Sequence, residues 1–393
     1  MNETNWTAVD LSNDAAREDA IHFARMVVGK TNERRLDHDL EWALQDDGAQ
    51  QAIAAFRLTT DQGILGFALL SYRSQALRFQ FGNLTYYRRP LKRYNLRSAP
   101  LIVGVQEGSE IWRSLASALI NAVKQHFSTS LDAIGIENVP LNSPFHQLLL
   151  NNLDMSQTFL PAMQASFIER QAILLPATLE IYLDQLGGEA RKVLGHCRKR
   201  LLRDFADDVH VTCFRCESDV DGLLDIVNRI APHDLRISRP ESRVTFAKRL
   251  RLAARHAWLR SYVLFCSGRP VAMMIGYQQD AHWQLTHTVI DPEYHYWSVG
   301  TTLMSETIKD LYDRPSRPRL IILNNGFDDS RVGFANHERS EVDMLLLSRT
   351  TKHAILACAY KRLDGFAQFA TSTADRINLG QELTRSVRKL SPS

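Results

Sequence analysis

The same order of apolar runs, turns and helical stretches occurs twice along the chain, and that repetition limits the possible folds more than any single motif does. In the first half, Ile53 to Thr60 and Ile64 to Tyr72 are strand-like runs on either side of the turn Asp61-Gln62-Gly63, and Ala76 to Phe81 alternates as a third strand would. After the short run Leu101 to Val105, Ser109 caps a helix with Ile111, Trp112, Leu115, Leu119, Ile120 and Val123 on one face, and Leu131 to Ile136 follows as a strand. The second half begins with a helix carrying Arg191 to Arg203, the strand Val209 to Phe214, a helix that Ser218 and Asp221 open as a capping box, and a helix from Pro240 to about His256. Three strands then follow at Trp258 to Cys266, Val271 to Gln279 and Ala281 to Ile290, the first two joined by the turn Ser267-Gly268-Arg269-Pro270. A Tyr- and Trp-rich loop, Asp291 to Val299, leads into the amphipathic helix Gly300 to Tyr312 and the strand Arg319 to Leu323. Each half thus reads as an antiparallel meander, a helix and a strand. The helix crossover makes that last strand run parallel to the one before it. The expected fold class is α/β (α+β layered), two copies of one unit with helices flanking a mixed sheet.

The 393 residues are 45% hydrophobic, enough for two cores. With the clearest seam at Gln171 to Thr178, the expected organisation is residues 1–170, residues 171–350 and a helical extension over residues 351–393. The formal net charge of +3 provides no global field for DNA, so any charge argument is local. Met1 to Asp10 lacks the pattern of a secretory signal, and no run approaches the roughly 18 apolar residues of a membrane helix. Five scattered cysteines do not make a disulfide framework, and a reduced, cytoplasmic protein is expected.

Two motif-like stretches lose to their context. Ala24 to Thr31 fits a loose phosphate-loop pattern, but Ala15 to Val28 has helical spacing, which places Gly29 where a helix C-cap belongs. Cys213-Phe214-Arg215-Cys216 has no second pair to complete a metal site, and no metal is expected. Two features keep their interest. Arg191, Lys192, Arg198, Lys199, Arg200 and Arg203 surround an apolar face of Val193, Leu194, Cys197 and Leu201, which suits either a solvated helix or contact with phosphates or carboxylates. Tyr294, His295, Tyr296 and Trp297 precede Ser298-Val299-Gly300-Thr301-Thr302, where a glycine opening a helix aims free N–H groups and the helix dipole at one point, as a pyrophosphate requires.

The strand order and the helix opening at Gly300 resemble the GNAT acyltransferase fold. Leu179 to Leu202 resembles the stretch that opens the second half of the BioF2-like, CelD-type GNAT acetyltransferases. Ser267 to Ala272 resembles their "dGxPVA" hairpin, and Ser298 to Leu303 their "SPGxxL" loop, with Val299 in place of the proline and Thr302 in place of the last Gly/Ala. The resemblance implies a tandem GNAT protein whose second half binds acetyl-CoA or another acyl-CoA. The pyrophosphate would meet Ser298, Val299, Gly300, Thr301 and Thr302, and the pantetheine the backbone of Thr286, Thr288, Val289 and Ile290. It further implies transfer to an amine or hydroxyl of a small-molecule or saccharide acceptor, family members being linked to polysaccharide modification.

For that chemistry His287 is the candidate base, or else a packed histidine sharing a face with Trp283, Leu285 and Val289. Tyr294 and Tyr296 are candidate acids for the departing thiolate, and Asn325 and Asp328 are candidates on the acceptor side. Arg191, Arg198 and Lys199 are the candidate substrate or phosphate contacts. Two rivals stand beside this reading: FemAB-like aminoacyl transfer from tRNA, and a GNAT scaffold without activity that senses a ligand or binds a partner.

Overall fold

A computed structural model describes residues 5–31, 36–45, 53–81, 84–127, 131–151, 158–205, 208–230, 240–313, 316–323, 333–360 and 362. The short strand β1 (Thr7–Ala8) precedes α1 (Asp14–Gly29), which begins where the Asn13 side chain accepts the Ala16 N–H. The expected C-cap at Gly29 is not formed. Gly29 ends the helix itself, and Lys30 closes it at φ −96°, its N–H donating to the Val27 carbonyl while the Thr31 N–H donates to that of Val28. The four-residue helix α2 (Leu40–Ala43) is capped by Asp39, which accepts the Trp42 N–H at 2.7 Å.

The first meander is β2 (Ile53–Thr59), β3 (Leu65–Phe81) and β4 (Leu84–Leu96), with β5 (Leu101–Val103) paired to the start of β3. It differs from the sequence expectation in two ways. The runs ending at Tyr72 and starting at Ala76 are one continuous strand, and β4 was unrecognised, its alternation masked by Arg88, Arg89, Pro90, Lys92 and Arg93. The ladder extends from Leu70↔Leu96 to Phe81↔Leu84, and pairing of this length overrides local propensity. Ser109 caps α3 (Glu110–His126) as expected, accepting the Trp112 N–H at 3.2 Å, and all of the anticipated face is buried except Ile111, which is 54% exposed. Next come β6 (Ala133–Pro140), parallel to β4, then α4 (Pro144–Asn151) and β7 (Met163–Leu174).

The second half contains α5 (Leu179–Gln185), the basic helix α6 (Gly187–Phe205), β8 (Val209–Phe214), α7 (Val220–Ile230) and α8 (Pro240–Arg255). Its meander is β9 (Ser261–Cys266), β10 (Arg269–Gln279) and β11 (His282–Ile290). Then come a 3-10 turn (Pro292–Trp297), α9 (Val299–Tyr312), β12 (Leu320–Ile322) and β13 (His337–Leu347). The meander, helix and parallel strand therefore occur twice, since β12 runs parallel to β11 as β6 does to β4.

Cα proximity divides the chain into two units that are not contiguous in sequence, unlike the expected boundaries. One comprises Met1–Leu11, Ala52–Phe167 and Val342–Ser393, the other Ser12–Gln51 and Ile168–Glu341. In the first unit the strand order is β1-β2-β3-β4-β6-β13, and its core includes Phe56, Leu70, Leu96, Trp112, Leu119, Ile134, Phe145 and Met344. In the second it is β7-β12-β11-β10-β9-β8. Each copy is therefore closed by the last strand of the other: β7 pairs with β12, and β13 lies beside β6. Of the expected extension, residues 351–360 are helical and most of the remainder lies outside the described residues.

The second unit's sheet is buried on both faces. Beneath α6 and α9 lie Tyr262, Met274, Trp283, Leu285 and Ile321, in one core with Val299 and Leu303 of α9. On the other face, α7 and α8 cover Val263, Met273, Ile275 and Tyr277, and Leu36 and Trp42 complete this layer, with Trp42 edge-on to Tyr277 at 4.9 Å. Residues 12–51 join this unit because their apolar side chains fill that layer.

The expected capping box at Ser218 and Asp221 is replaced by Asp219, whose Oδ2 accepts the N–H groups of Arg215 and Cys216 at 2.8 and 2.9 Å. These bonds lower the pKa of Asp219. Asp219→Ala is expected to cost about 1 kcal/mol at neutral pH. Because the folded pKa is depressed, the contribution is present above the unfolded value and lost as pH falls through the folded one. Urea melts of the two proteins should therefore converge on acidification below pH ~4.

Candidate active site

Two local departures from regularity on neighbouring elements create the candidate site. The first is in β11. Its ladder to β10 reaches Ile290, whereas among the described residues its ladder to β12 covers only His282 to Gln284. At the same point the β10 register shifts: Ile275 faces His287 while Gly276 faces Leu285, which makes Thr286 the extra residue of a β-bulge. Thr286 Oγ1 donates to the Ile275 carbonyl at 3.1 Å.

The bulge reverses the alternation of side chains. Trp283 and Leu285 belong to the core under α6 and α9, but beyond Thr286 it is Ile290 that packs on that side, while Val289 packs on the α7–α8 side. His287 lies edge-on to Phe246 of α8, ring centroids 5.5 Å apart, with Nδ1 3.1 Å from Thr286 Oγ1. His287 therefore does not share a face with Trp283 and Leu285. A single extra residue has turned it to the other side. Thr288 Oγ1 is buried with no hydrogen-bond partner, an orphan donor beside the widened part of the strand.

The second departure is at the start of α9. Ser298 is left-handed (φ 53°, ψ 44°) and makes no side-chain cap, and the first intrahelical bond runs from the Thr302 N–H to the Ser298 carbonyl. The amides of Val299, Gly300 and Thr301 therefore have no intrahelical acceptor. Gly300 brings this end against β11: a Cβ there would lie 2.5 Å from Ile290 Cδ1. The sequence expectation assigned Ser298 through Thr302 equally to the pyrophosphate. In the structure the Thr302 amide is spent within the helix, and its buried hydroxyl lines a cavity of about 380 Å³ with Cys213, Tyr262 and Asp310. Val299 buries its side chain in the core and offers only its amide.

The aromatic loop before α9 is anchored to α6. The Arg200 guanidinium donates to the Tyr296 carbonyl at 2.7 Å and lies 4.9 Å from the Tyr296 ring centroid, and the Trp297 indole donates to Asp204 Oδ2 at 2.9 Å. Arg203 and Trp297 hold the Asp204 carboxyl down at about 2. Tyr294 packs between Phe205 and Trp297 with Arg269 over its ring, while the Tyr296 side chain is 64% exposed. Tyr294 is thus a packing residue in this loop.

The basic helix is more neutral than its own sequence suggests, because acids outside the run meet its cations. Arg191 pairs with Asp184 at 2.7 Å, Lys192 with Glu189 at 2.9 Å, Arg198 with Glu306 at 3.8 Å and Arg203 with Asp204 at 2.7 Å, while Lys199 is exposed. Arg191 and Arg198 are directed to α5 and to the middle of α9, away from the amides that open α9. Asp204 and Phe246 support the site without having been singled out in the sequence, while Arg200 was expected only as one of the basic cluster and Thr288 only through its backbone. The +4 spacing of Arg200 and Asp204 on one helix was the available signal. Asn325 and Asp328 lie outside the described residues.

Residues 188–320 match the family described as acetyltransferase (GNAT) domain. No curated protein matches. Among solved structures, FemX is similar with TM-score 0.57 at 10% identity, over 86% of this chain and 98% of that one. The C-terminal domain of a putative lysylphosphatidylglycerol synthetase from Agrobacterium fabrum gives TM-score 0.51 at 11% identity, over 88% and 96%. A conserved protein of unknown function from Bacteroides thetaiotaomicron gives 0.50 at 12%, over 88% and 100%. At such identities these likenesses concern the fold alone. The mixed α/β fold has the GNAT layout, and the match of residues 188–320 to the acetyltransferase (GNAT) domain family supports a transferase.

Proposed function

We propose that the second unit binds an acyl-CoA and transfers its acyl group to an amine or hydroxyl of a small-molecule or saccharide acceptor. The observation that carries this reading is the meeting of a strand bulged at Thr286 with a helix whose first three amides lack intrahelical acceptors. The residues fit the donor. The amides of Val299, Gly300 and Thr301, with the positive end of the α9 dipole, suit a pyrophosphate. The orphan hydroxyl of Thr288 and the backbone of Thr286 to Ile290 suit the amides of a pantetheine arm. The donor supplies a thioester carbonyl already activated for attack.

His287 is the group placed to take the acceptor's proton, since the bulge turns it to the face covered by α8 and away from the helix that holds the phosphates. As the acceptor's nitrogen or oxygen bonds to the acyl carbon, the C–S bond breaks, and the thiolate is neutralised by a proton from solvent or from the exposed Tyr296.

Acetyl-CoA at about 1 mM is expected to raise the melting temperature by about 3 °C, the linkage for a site near saturation in a chain of this size. Incubating isotopically labelled acetyl-CoA with cell extract, with and without the protein, then identifies the acceptor by mass spectrometry. The reading fails if no acyl-CoA from two to about sixteen carbons shifts melting.

The likeness to FemX favours one second reading, an aminoacyl ester as donor. Turnover with aminoacyl-tRNA would then fall steeply with salt. The acids that pair with the α6 cations weigh against a phosphate track there.

A further inference from the structure

We infer that the second unit has another binding site, for a small zwitterion of amino-acid or dipeptide size, in a cavity of about 870 Å³ at the opposite end of its sheet. The α9 amides meet β11 at Ile290, which pairs with Ala272, whereas this cavity opens at the β10–β11 turn, where Gln279 pairs with His282. The length of β11 puts the two roughly 25 Å apart. The cavity has the size of a ligand site. Ala24, Arg25, Val28, His38 and Asp39 line it together with the end of α8 and the β8–α7 connection, all within one unit.

The lining opposes fixed charges of both signs. Arg215 and Arg25 are on it, the latter shared between Glu41 and His256, whose rings and carboxylate lie within 3.0 Å of one another. Also on it are Asp39 and Glu217, the latter paired with Arg255 at 3.3 Å. Asp39 is only 8% exposed, and one of its oxygens is satisfied by the Trp42 N–H. The other is 3.9 Å from Arg25 Nε, beyond hydrogen-bond range. Burial pushes its pKa up in spite of the Trp42 N–H and the Arg25 charge. Gln279 adds a further demand: it is 9% exposed, lines the cavity, and its Oε1 is buried with no hydrogen-bond partner. A buried acceptor left unsatisfied costs free energy that a donor on a ligand restores.

An anion alone would meet Asp39 and Glu217, and a cation alone would meet Arg25 and Arg215. An ammonium directed to Asp39 and Gln279 Oε1, joined to a carboxylate directed to the arginines, satisfies both sets. Nothing in this constellation touches the acyl-transfer residues, so occupancy is readable apart from that activity.

The test is thermal melting of the full chain with each of the common L-amino acids and with glycylglycine at about 10 mM, for the wild type, Gln279→Leu and Arg215→Met. At least one probe should raise the wild-type melting temperature by about 2 °C, and that shift should disappear in either variant. The shift with acetyl-CoA should be retained in both. Arg215→Met changes a half-buried side chain and keeps the test open if Gln279→Leu folds poorly. A wild type that responds to no probe, or a shift that survives in both variants, overturns the proposal.

Discussion

Thr301→Asp is expected to weaken acetyl-CoA binding by about 100-fold or more while leaving the unliganded protein as stable as the wild type or slightly more so. Thr301 is the third residue of α9, within the turn whose amides lack intrahelical acceptors. A carboxylate placed there accepts those N–H groups itself and interacts favourably with the helix dipole, by roughly 0.3–1 kcal/mol. The same carboxylate would stand within a few ångströms of a bound pyrophosphate. Two like charges about 4 Å apart at an effective dielectric near 20 repel by about 4 kcal/mol, enough for the loss stated. The opposite signs separate this outcome from simple damage, since a variant that merely unfolded α9 would lose stability together with binding. Calorimetric titration gives the affinity and thermal melting gives the stability. Unchanged acetyl-CoA affinity in a folded Thr301→Asp protein would remove the start of α9 from the donor site.

The largest effect on stability is expected at Gly276. Trp283 is fully buried, donates its indole N–H to the Arg260 carbonyl at 2.9 Å and lies edge-on to Tyr262. Its ring lies across Gly276 so closely that a Cβ there would come within 2.2 Å of Cζ2 and 2.3 Å of Cε2. Those atoms belong to a rigid ring fixed at both ends, so neither rotamer change nor a small shift relieves the overlap. Gly276→Ala should therefore destabilise the second unit by about 3 kcal/mol or more, the upper range for overpacking. It would also disturb the bulge, because Gly276 faces Leu285 beside Thr286. Urea unfolding followed by tryptophan fluorescence measures the cost. Combining Gly276→Ala with Trp283→Leu should cost less than the sum of the separate changes, because the leucine vacates the space the methyl needs. Strict additivity would show that the two residues are not in contact.

Features of short range in sequence were legible before the structure. The Ser109 cap, the apolar face of α6, strand β8, the turn at Ser267 and Gly268 and the helix after Ser298 each depend on a few adjacent residues, and all are present. The expectations at Gly29 and at Ser218 and Asp221 failed within a residue or two. In each case a neighbouring group made the hydrogen bond first: the Lys30 N–H in one, the Asp219 carboxylate in the other. Strand β4 was hidden because its run of basic residues lacks the alternation of a half-buried strand, and only its long register with β3 defines it.

Most of the candidate site belongs to the second class. A glycine at position 300 was visible, but its reason, the approach of Ile290, is a contact across ten residues. His287 was identified as a titratable side chain near the end of a strand, and period-two counting put it on the wrong face because one inserted residue, Thr286, reverses every side chain beyond it. The six cations of α6 looked uncompensated along the helix, since Asp184, Glu306 and the Tyr296 carbonyl arrive from elements on either side.

By itself, then, the sequence determined the order of elements and its repetition, because hydrophobic periodicity, caps and turns are local and each is encoded within a turn or a hairpin. Only the tertiary structure decided that β7 and β13 each close the other copy's sheet, that Leu36 and Trp42 complete the second unit, and that a bulge at Thr286 turns His287. Those outcomes depend on which distant strand supplies the better ladder and which apolar surface remains to be covered, and neither quantity is written in any one stretch of the chain.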